Sequence, residues 1–221
     1  MKQYKQVVLD NGHGYNTAGK RSPDGRFLEW KWNREIVDMV LSHASKDETI
    51  SQFCKLVPED EDIALDWRSN KFDNRIKRSE LFPSDTTLLL SIHANAAGMG
   101  DKWYNAKGFG IFYDRKHAHE VEPVAQMFAD VIEKTIEVGE ETNYKLKKWG
   151  TGIIPTENKY SIIAFPTCNS LLLELGFYDN QEEVEYLLSA EGKREISFGI
   201  YTACRKALGY DIWLDQEAQK S

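Results

Sequence analysis

Two histidines and two glutamates stand in this chain at places where side chains do chemistry. His13 lies in a Gly12-His13-Gly14 turn directly after the apolar run Val7-Val8-Leu9. His93 closes the run Leu88-Leu89-Leu90-Ser91-Ile92, and Glu174 interrupts Leu171-Leu172-Leu173-Glu174-Leu175. Glu29 follows a polar loop and opens a stretch of helical periodicity. Ligands of open α/β sheets collect at the carboxyl ends of strands, which is where three of these four residues fall. Two imidazoles and a carboxylate make a standard zinc set that leaves a coordination position for water. A further carboxylate nearby can take that water's proton.

Each residue also has a plainer role. His13 could be an exposed turn residue and His93 a hydrogen-bonded core histidine. Glu29 could serve only to favour a helix N-terminus through the macrodipole, and Asn95 could cap the following turn. Glu174 is harder to explain this way, because a carboxylate inside an apolar strand carries a large desolvation cost unless it is paired or lies near a metal. Four such positions together favour a shared site. The remaining histidines read differently. His43 falls at the polar end of the first helix. His117 and His119 form a His-x-His pair near a helix start, where positions two apart diverge.

The elements that must position these groups follow from periodicity and turn signals. Short apolar runs predict strands at 6–9, 50–57, 86–92, 109–113 and 170–175. Helices are predicted from Glu29 onwards, over 64–82, 117–138, near 181–189 and over 192–207. In the first of them Ile36, Val37, Val40 and Leu41 form the apolar stripe, with Arg34, Glu35 and Asp38 elsewhere on the wheel. Residues 15–28 and 97–108 read as loops, and 139–160, with Lys145, Lys147, Lys148 and Trp149, reads as a polar loop or lid. The tail 210–221 is expected to fray. Strands alternating with helices predict an α/β fold, a mostly parallel or mixed twisted sheet with helices on both faces. No repeat or linker divides residues 1–221, which are expected to form one domain with no appended module.

Bulk properties narrow the partners. A net charge of −7 argues against nucleic acid, whose phosphates call for clustered Lys and Arg. The 3 cysteines, Cys54, Cys168 and Cys204, show no CxxC spacing and suggest neither a disulfide framework nor a thiolate zinc site. No run approaches a membrane span, and the start MKQYKQVVLDNGHG lacks the apolar stretch of a signal peptide. Synthesis in the cytoplasm is therefore expected.

The same residues resemble the zinc-dependent N-acetylmuramoyl-L-alanine amidases of the type called amidase 3. That family opens with a strand and a Gly-His-Gly turn, as in Val7 to Gly14. It has a metal-binding glutamate at a helix start, as in Phe27-Leu28-Glu29, and a Ser-Ile-His-Ala-Asn segment, present at 91–95. Its catalytic glutamate lies in a Leu-Glu-x-Gly-Phe segment followed by Asn, matched by Leu173-Glu174-Leu175-Gly176-Phe177 and Asn180. The strand Gly108 to Tyr113 is similar as well, and the likeness runs from about Val7 to Leu208. Asn11 and Tyr15 stand where the family often has Pro and Gly, and Val57-Pro58 replaces its usual Thr-Arg. These departures touch substrate contacts rather than the metal set.

The resemblance implies that His13, Glu29 and His93 bind one Zn2+ and that Glu174 is general acid and base. It makes Asn95 and Arg75 candidate substrate contacts, Arg75 by a loose match to an arginine of the family. The implied substrate is peptidoglycan or a muropeptide, cut between N-acetylmuramic acid and L-alanine, in the manner of an endolysin or a bacterial wall enzyme. The alternatives are a related zinc peptidase acting on soluble peptides and a catalytically inactive peptidoglycan-binding protein.

Overall fold

The structure, a computed structural model, describes residues 2–48, 50, 52–65, 68, 84–139, 142–164, 166 and 168–212. The strands are β1 (Gln6–Asn11), β2 (Phe53–Lys55), β3 (Thr87–Asn95), β4 (Phe109–Asp114), β5 (Lys148–Thr156) and β6 (Asn169–Phe177). The helices are α1 (Glu29–Lys46), α2 (Ala118–Val138), α3 (Ser161–Ala164), α4 (Gln181–Leu188) and α5 (Ala190–Ala207). The strands form one 6-stranded sheet in the order β2-β1-β3-β6-β4-β5. β1, β2, β3 and β6 run parallel, whereas β4 is antiparallel to β6 and parallel to β5. The sheet is therefore mixed, and the carboxyl ends of β1, β3 and β6 lie side by side.

Side chains of a strand alternate between faces, and here the two faces are covered unequally. Leu88, Leu90, Ile92 and Ala94 of β3, Val7 and Leu9 of β1, and Leu171, Leu173 and Leu175 of β6 belong to the larger core with α1, α2 and α5. The opposite face carries Val8, Leu89, Phe112 and Leu172 in a smaller cluster with Leu56, Val57 and with Ile162 and Ile163 of α3. By the same alternation Asp10, Ser91, His93 and Glu174 project from this second, thinly covered face. Ligand-sized space is thus left above the sheet there rather than among the long helices.

Local signals account for the helix ends. Ser189 accepts from the Gly192 amide at 2.9 Å at the start of α5, and Asn180 accepts from the Glu183 amide at 3.1 Å at the start of α4. Such side-chain caps satisfy amides that have no partner within the helix. Asp179 accepts from the Ala97 and Gly98 amides at 3.0 and 2.8 Å, and its carbonyl accepts from Tyr104 N at 2.7 Å. This ties the 97–104 loop to the end of β6.

Three expectations need correction. The segment 139–160 is not a loop throughout, because Lys148–Thr156 is a strand pairing with β4. Two of its lysines are held by α2, Lys147 pairing with Glu137 and Lys148 Nζ lying 2.9 Å from both Asp130 and Glu133, whereas Lys145 pairs with Glu195 of α5 at 2.8 Å. No helix separates β3 from β4, so strands and helices do not alternate strictly. His43 is buried, with Nε2 3.3 Å from Ser197 Oγ and its ring against Phe198 and Tyr201. Of the helix expected over 64–82, most lies outside the described residues, as does Arg75; residues 213–221 of the tail also lie outside them. Among the described residues no helix is long and apolar enough to cross a membrane.

Candidate metal and catalytic site

β1 ends at Asn11, and the chain turns through Gly12, His13 and Gly14 to bring an imidazole over the sheet. His13 adopts a left-handed conformation with φ 64°, which costs a non-glycine residue energy and marks a special position. The flanking glycines are explained by close approach. A Cβ on Gly12 would lie 2.0 Å from Cε1 and Nε2 of His93, and one on Gly14 would lie 1.9 Å from the Asp62 amide nitrogen. Gly12 therefore lets the turn pack directly on the second histidine.

His93 comes from β3 and Glu174 from the neighbouring β6, and the register places them opposite one another. Glu29 enters from the first residue of α1. Its Oε1 lies 2.8 Å from His93 Nδ1 and 3.4 Å from His13 Nε2. The two rings meet edge to face with centroids 4.8 Å apart. One ligand atom from each of His13, Glu29 and His93 lies within 4.8 Å of the others, and among the described residues no other such group of His, Cys, Asp and Glu occurs. The His117/His119 pair accordingly builds no such cluster.

Burial sets the charges. Burial pushes the Glu29 carboxyl up, but hydrogen bonds from His13 and His93 outweigh it and hold the group at about 2. His93 is raised: burial opposes its charge, and Glu29 more than offsets that. Glu174 is pushed up to about 7 by burial, against the opposing pull of the His93 charge. Two carboxyls lining one cavity but held far apart in acidity suit a metal ligand and a proton-transferring group. Glu29 Oε2 and Glu174 Oε2 are both buried without a hydrogen-bond partner in the protein. Buried oxygens of this kind are costly, and a cation beside Glu29 would relieve the first.

The site opens into a cavity of about 370 Å³. His13, Glu29, His93 and Glu174 form its polar floor, Leu172 and Ile162 an apolar side, and Lys20, Lys159 and Tyr160 are also among its lining residues. Asn95 lines it too, but its Oδ1 accepts from the Ala96 amide at 2.8 Å, so it also caps the turn. The sequence reading missed two arginines. Arg34, placed on the polar side of α1, is buried and donates to the carbonyls of His13, Trp30 and Glu59. Arg68 is also buried and donates to Asp10, Asn11 and His13. Helical periodicity gave no sign of either, because their acceptors come from distant segments.

A mixed α/β sheet thus carries, beside the carboxyl ends of its parallel strands, a His/Glu/His cluster that could hold a metal ion and a buried glutamate next to it. Residues 7–206 match the Amidase_3 family, described as N-acetylmuramoyl-L-alanine amidase. The chain belongs to this family, whose members are hydrolases that cut the amide between N-acetylmuramic acid and L-alanine in peptidoglycan. The solved N-acetylmuramoyl-L-alanine amidase from Clostridium difficile 630 is similar at 22% identity and a TM-score of 0.73, over 94% of this chain and 98% of its own. The catalytic domain of CwlV from Bacillus (Paenibacillus) polymyxa var. colistinus is similar at 20% identity and a TM-score of 0.71, again over 94% and 98%. AmiC2 of Nostoc punctiforme, also an N-acetylmuramoyl-L-alanine amidase, is similar at 20% identity and a TM-score of 0.72, over 93% and 98%. No curated protein sequence matches the chain.

Proposed function

We propose that His13, Glu29 and His93 hold one zinc ion and that Glu174 moves the proton during amide hydrolysis. The observation that carries this reading is the convergence of three ligand atoms within 4.8 Å, with Glu174 opposite His93 on the next strand. The donor set suits zinc: neutral imidazole nitrogens and a carboxylate, without thiolates. When bound, the ion supplies Lewis acidity, polarising a carbonyl and easing the deprotonation of water.

The chain's own groups do the rest. Glu29, grouped with His13 and His93, would supply the carboxylate of the metal set and offset part of the ion's charge. Glu174, in its carboxylate form, takes a proton from the attacking water. It then returns the proton to the alanine nitrogen as the carbon–nitrogen bond breaks, because an amide nitrogen leaves poorly unless protonated. The products are the free lactyl carboxylate and a new alanine amine. The apolar surroundings that push Glu174 up to about 7 place it where a group can both accept and donate near neutral pH.

Lys20 and Lys159 at the cavity wall suit the carboxylates of a stem peptide. Reversing both charges, with Lys20→Glu and Lys159→Glu, is expected to raise KM roughly 3–10-fold while leaving kcat near wild type, as lost rim electrostatics do. Steady-state kinetics on a soluble muropeptide check this, and an unchanged KM counts against it.

The test of the proposed function is zinc content together with the release of alanine amines from purified peptidoglycan. About one zinc per chain, activity lost to chelation and activity restored by zinc are expected. Zinc at about 1,000 times its Kd contributes about 4 kcal/mol, so the melting temperature of the stripped protein should rise by roughly 10 °C on reloading. A protein that binds no zinc refutes the site. A zinc protein that leaves peptidoglycan intact but cuts soluble peptides points to the peptidase alternative.

A further inference from the structure

Arg68 uses its guanidinium more fully than any surface role requires. Nε donates to Ile63 O at 2.7 Å, and Nη1 donates to Asp10 Oδ1 at 2.8 Å and Asn11 O at 3.1 Å. Nη2 donates to Asp62 Oδ1 at 3.0 Å and His13 O at 3.3 Å. An arginine has five N–H donors, and these contacts match all of them. The side chain is 2% exposed, and so is that of Asp10. Asp10 in turn accepts from Ser91 Oγ at 2.6 Å, two residues before His93 on the same face of β3. Arg34, from the helix that begins with Glu29, donates Nη1 to the same His13 carbonyl at 3.0 Å.

We propose that Arg68 is a positioning residue for the metal centre, fixing His13 in its left-handed conformation by its carbonyl oxygen. A non-glycine residue at φ 64° persists only where its surroundings over-determine it. His13 has no regular strand or helix to hold it; Gly12 and Gly14 on either side are tied by the Ile92 carbonyl, the Asn33 amide and Thr17 Oγ1, which leaves the His13 carbonyl itself to the arginines. The two guanidinium donors on the His13 carbonyl supply the missing constraint. Through Asp10 and Ser91, Arg68 also joins the turn to the strand that carries His93, and Arg34 joins it to the helix that carries Glu29. The three ligand-bearing segments are thus joined by charge-assisted hydrogen bonds, a class stronger than neutral ones, of which Ser91 to Asp10 at 2.6 Å and Arg68 to Asp10 at 2.8 Å are the shortest. A bare core ion pair between Arg68 and Asp10 would need neither the contact to His13 nor the second arginine.

This inference rests on His13, Glu29 and His93 being the metal ligands, which zinc binding by the wild type tests separately. The experiment compares the wild type with Arg68→Lys and Arg68→Gln, both of which keep a donor for Asp10 but lose the fork that reaches His13. The readouts are zinc affinity by competition with a chelator, the melting temperature of the zinc-free protein, and kcat and KM at saturating zinc. Groups that orient metal ligands typically change metal affinity by roughly 10–100-fold when removed. That loss is expected in both variants while the zinc-free protein stays folded, with kcat recovering in part as zinc is raised. Folded variants that bind zinc as tightly as the wild type overturn the proposal. So does failure of both variants to fold, since Arg68 would then act on the whole fold rather than on the turn.

Discussion

Glu174→Gln is expected to keep its zinc and lose kcat by roughly 10²–10⁴-fold, the range of a positioned general acid and base. The substitution preserves shape and leaves the floor of His13, Glu29 and His93 untouched, so zinc stoichiometry and muropeptide binding should stay close to wild type. The same change has an opposite effect on stability. Glu174 is pushed from an ordinary carboxyl value to about 7 by burial, so the zinc-free fold carries a penalty for ionising it. A group whose pKa is raised on folding loses stability as pH rises through the folded value, and each unit is worth about 1.4 kcal/mol. At pH 8 the zinc-free Gln variant should therefore be more stable than the zinc-free wild type, by at most about 3 kcal/mol. The difference should shrink towards zero well below pH 4.5, where the carboxyl is protonated in both the folded and the unfolded state. Activity assays, zinc content and melting curves at the two pH values check all three statements. A Gln variant with wild-type turnover would remove Glu174 from the mechanism.

Gly12→Ala is the second change with a large expected effect. The added methyl would lie 2.0 Å from Cε1 and Nε2 of His93 and 2.7 Å from Cδ2, well inside van der Waals contact. His93 is flanked by β1 and β6 and its Nδ1 is engaged by Glu29 at 2.8 Å, so the ring cannot swing aside without leaving the site. Overpacking of this kind costs about 1–3 kcal/mol in stability. The larger consequence falls on the metal, because displacement of one of three ligands should weaken zinc binding by roughly 100-fold or more, with activity lost at limiting zinc. Chelator competition measures it. Wild-type affinity in a folded Gly12→Ala protein would mean that His93 does not hold the ion.

The four residues that meet at the site were legible in the sequence because their signals are local. His93 and Glu174 are polar interruptions of Leu-rich strands, and a charged group in such a run has to be explained by what it meets. β1, β3 and β6 were legible for the same reason, each being an apolar run bounded by turn residues. β5 was not. Lys148 to Thr156 contains two glycines and a proline, is only partly buried and sits at the sheet edge, so it lacks the unbroken apolar run by which strands are recognised. Its order comes from pairing with β4 and from the hold of α2 on Lys148, both of which are remote in sequence.

The amino-acid sequence by itself pointed to the four side chains that meet at the site, to the α/β class and to the family to which the chain belongs. Tertiary structure alone decided that β1, β3 and β6 are neighbours, that His93 and Glu174 share the thinly covered face, and that Glu29 reaches across from α1 to both imidazoles. It also decided that Arg34 and Arg68 are buried braces rather than solvated charges. The division has a physical cause. Apolar periodicity and turn chemistry act over a few residues and are written along the chain. Strand order depends on pairing between segments far apart in sequence, and an arginine is buried only where such segments bring enough acceptors together to replace its water.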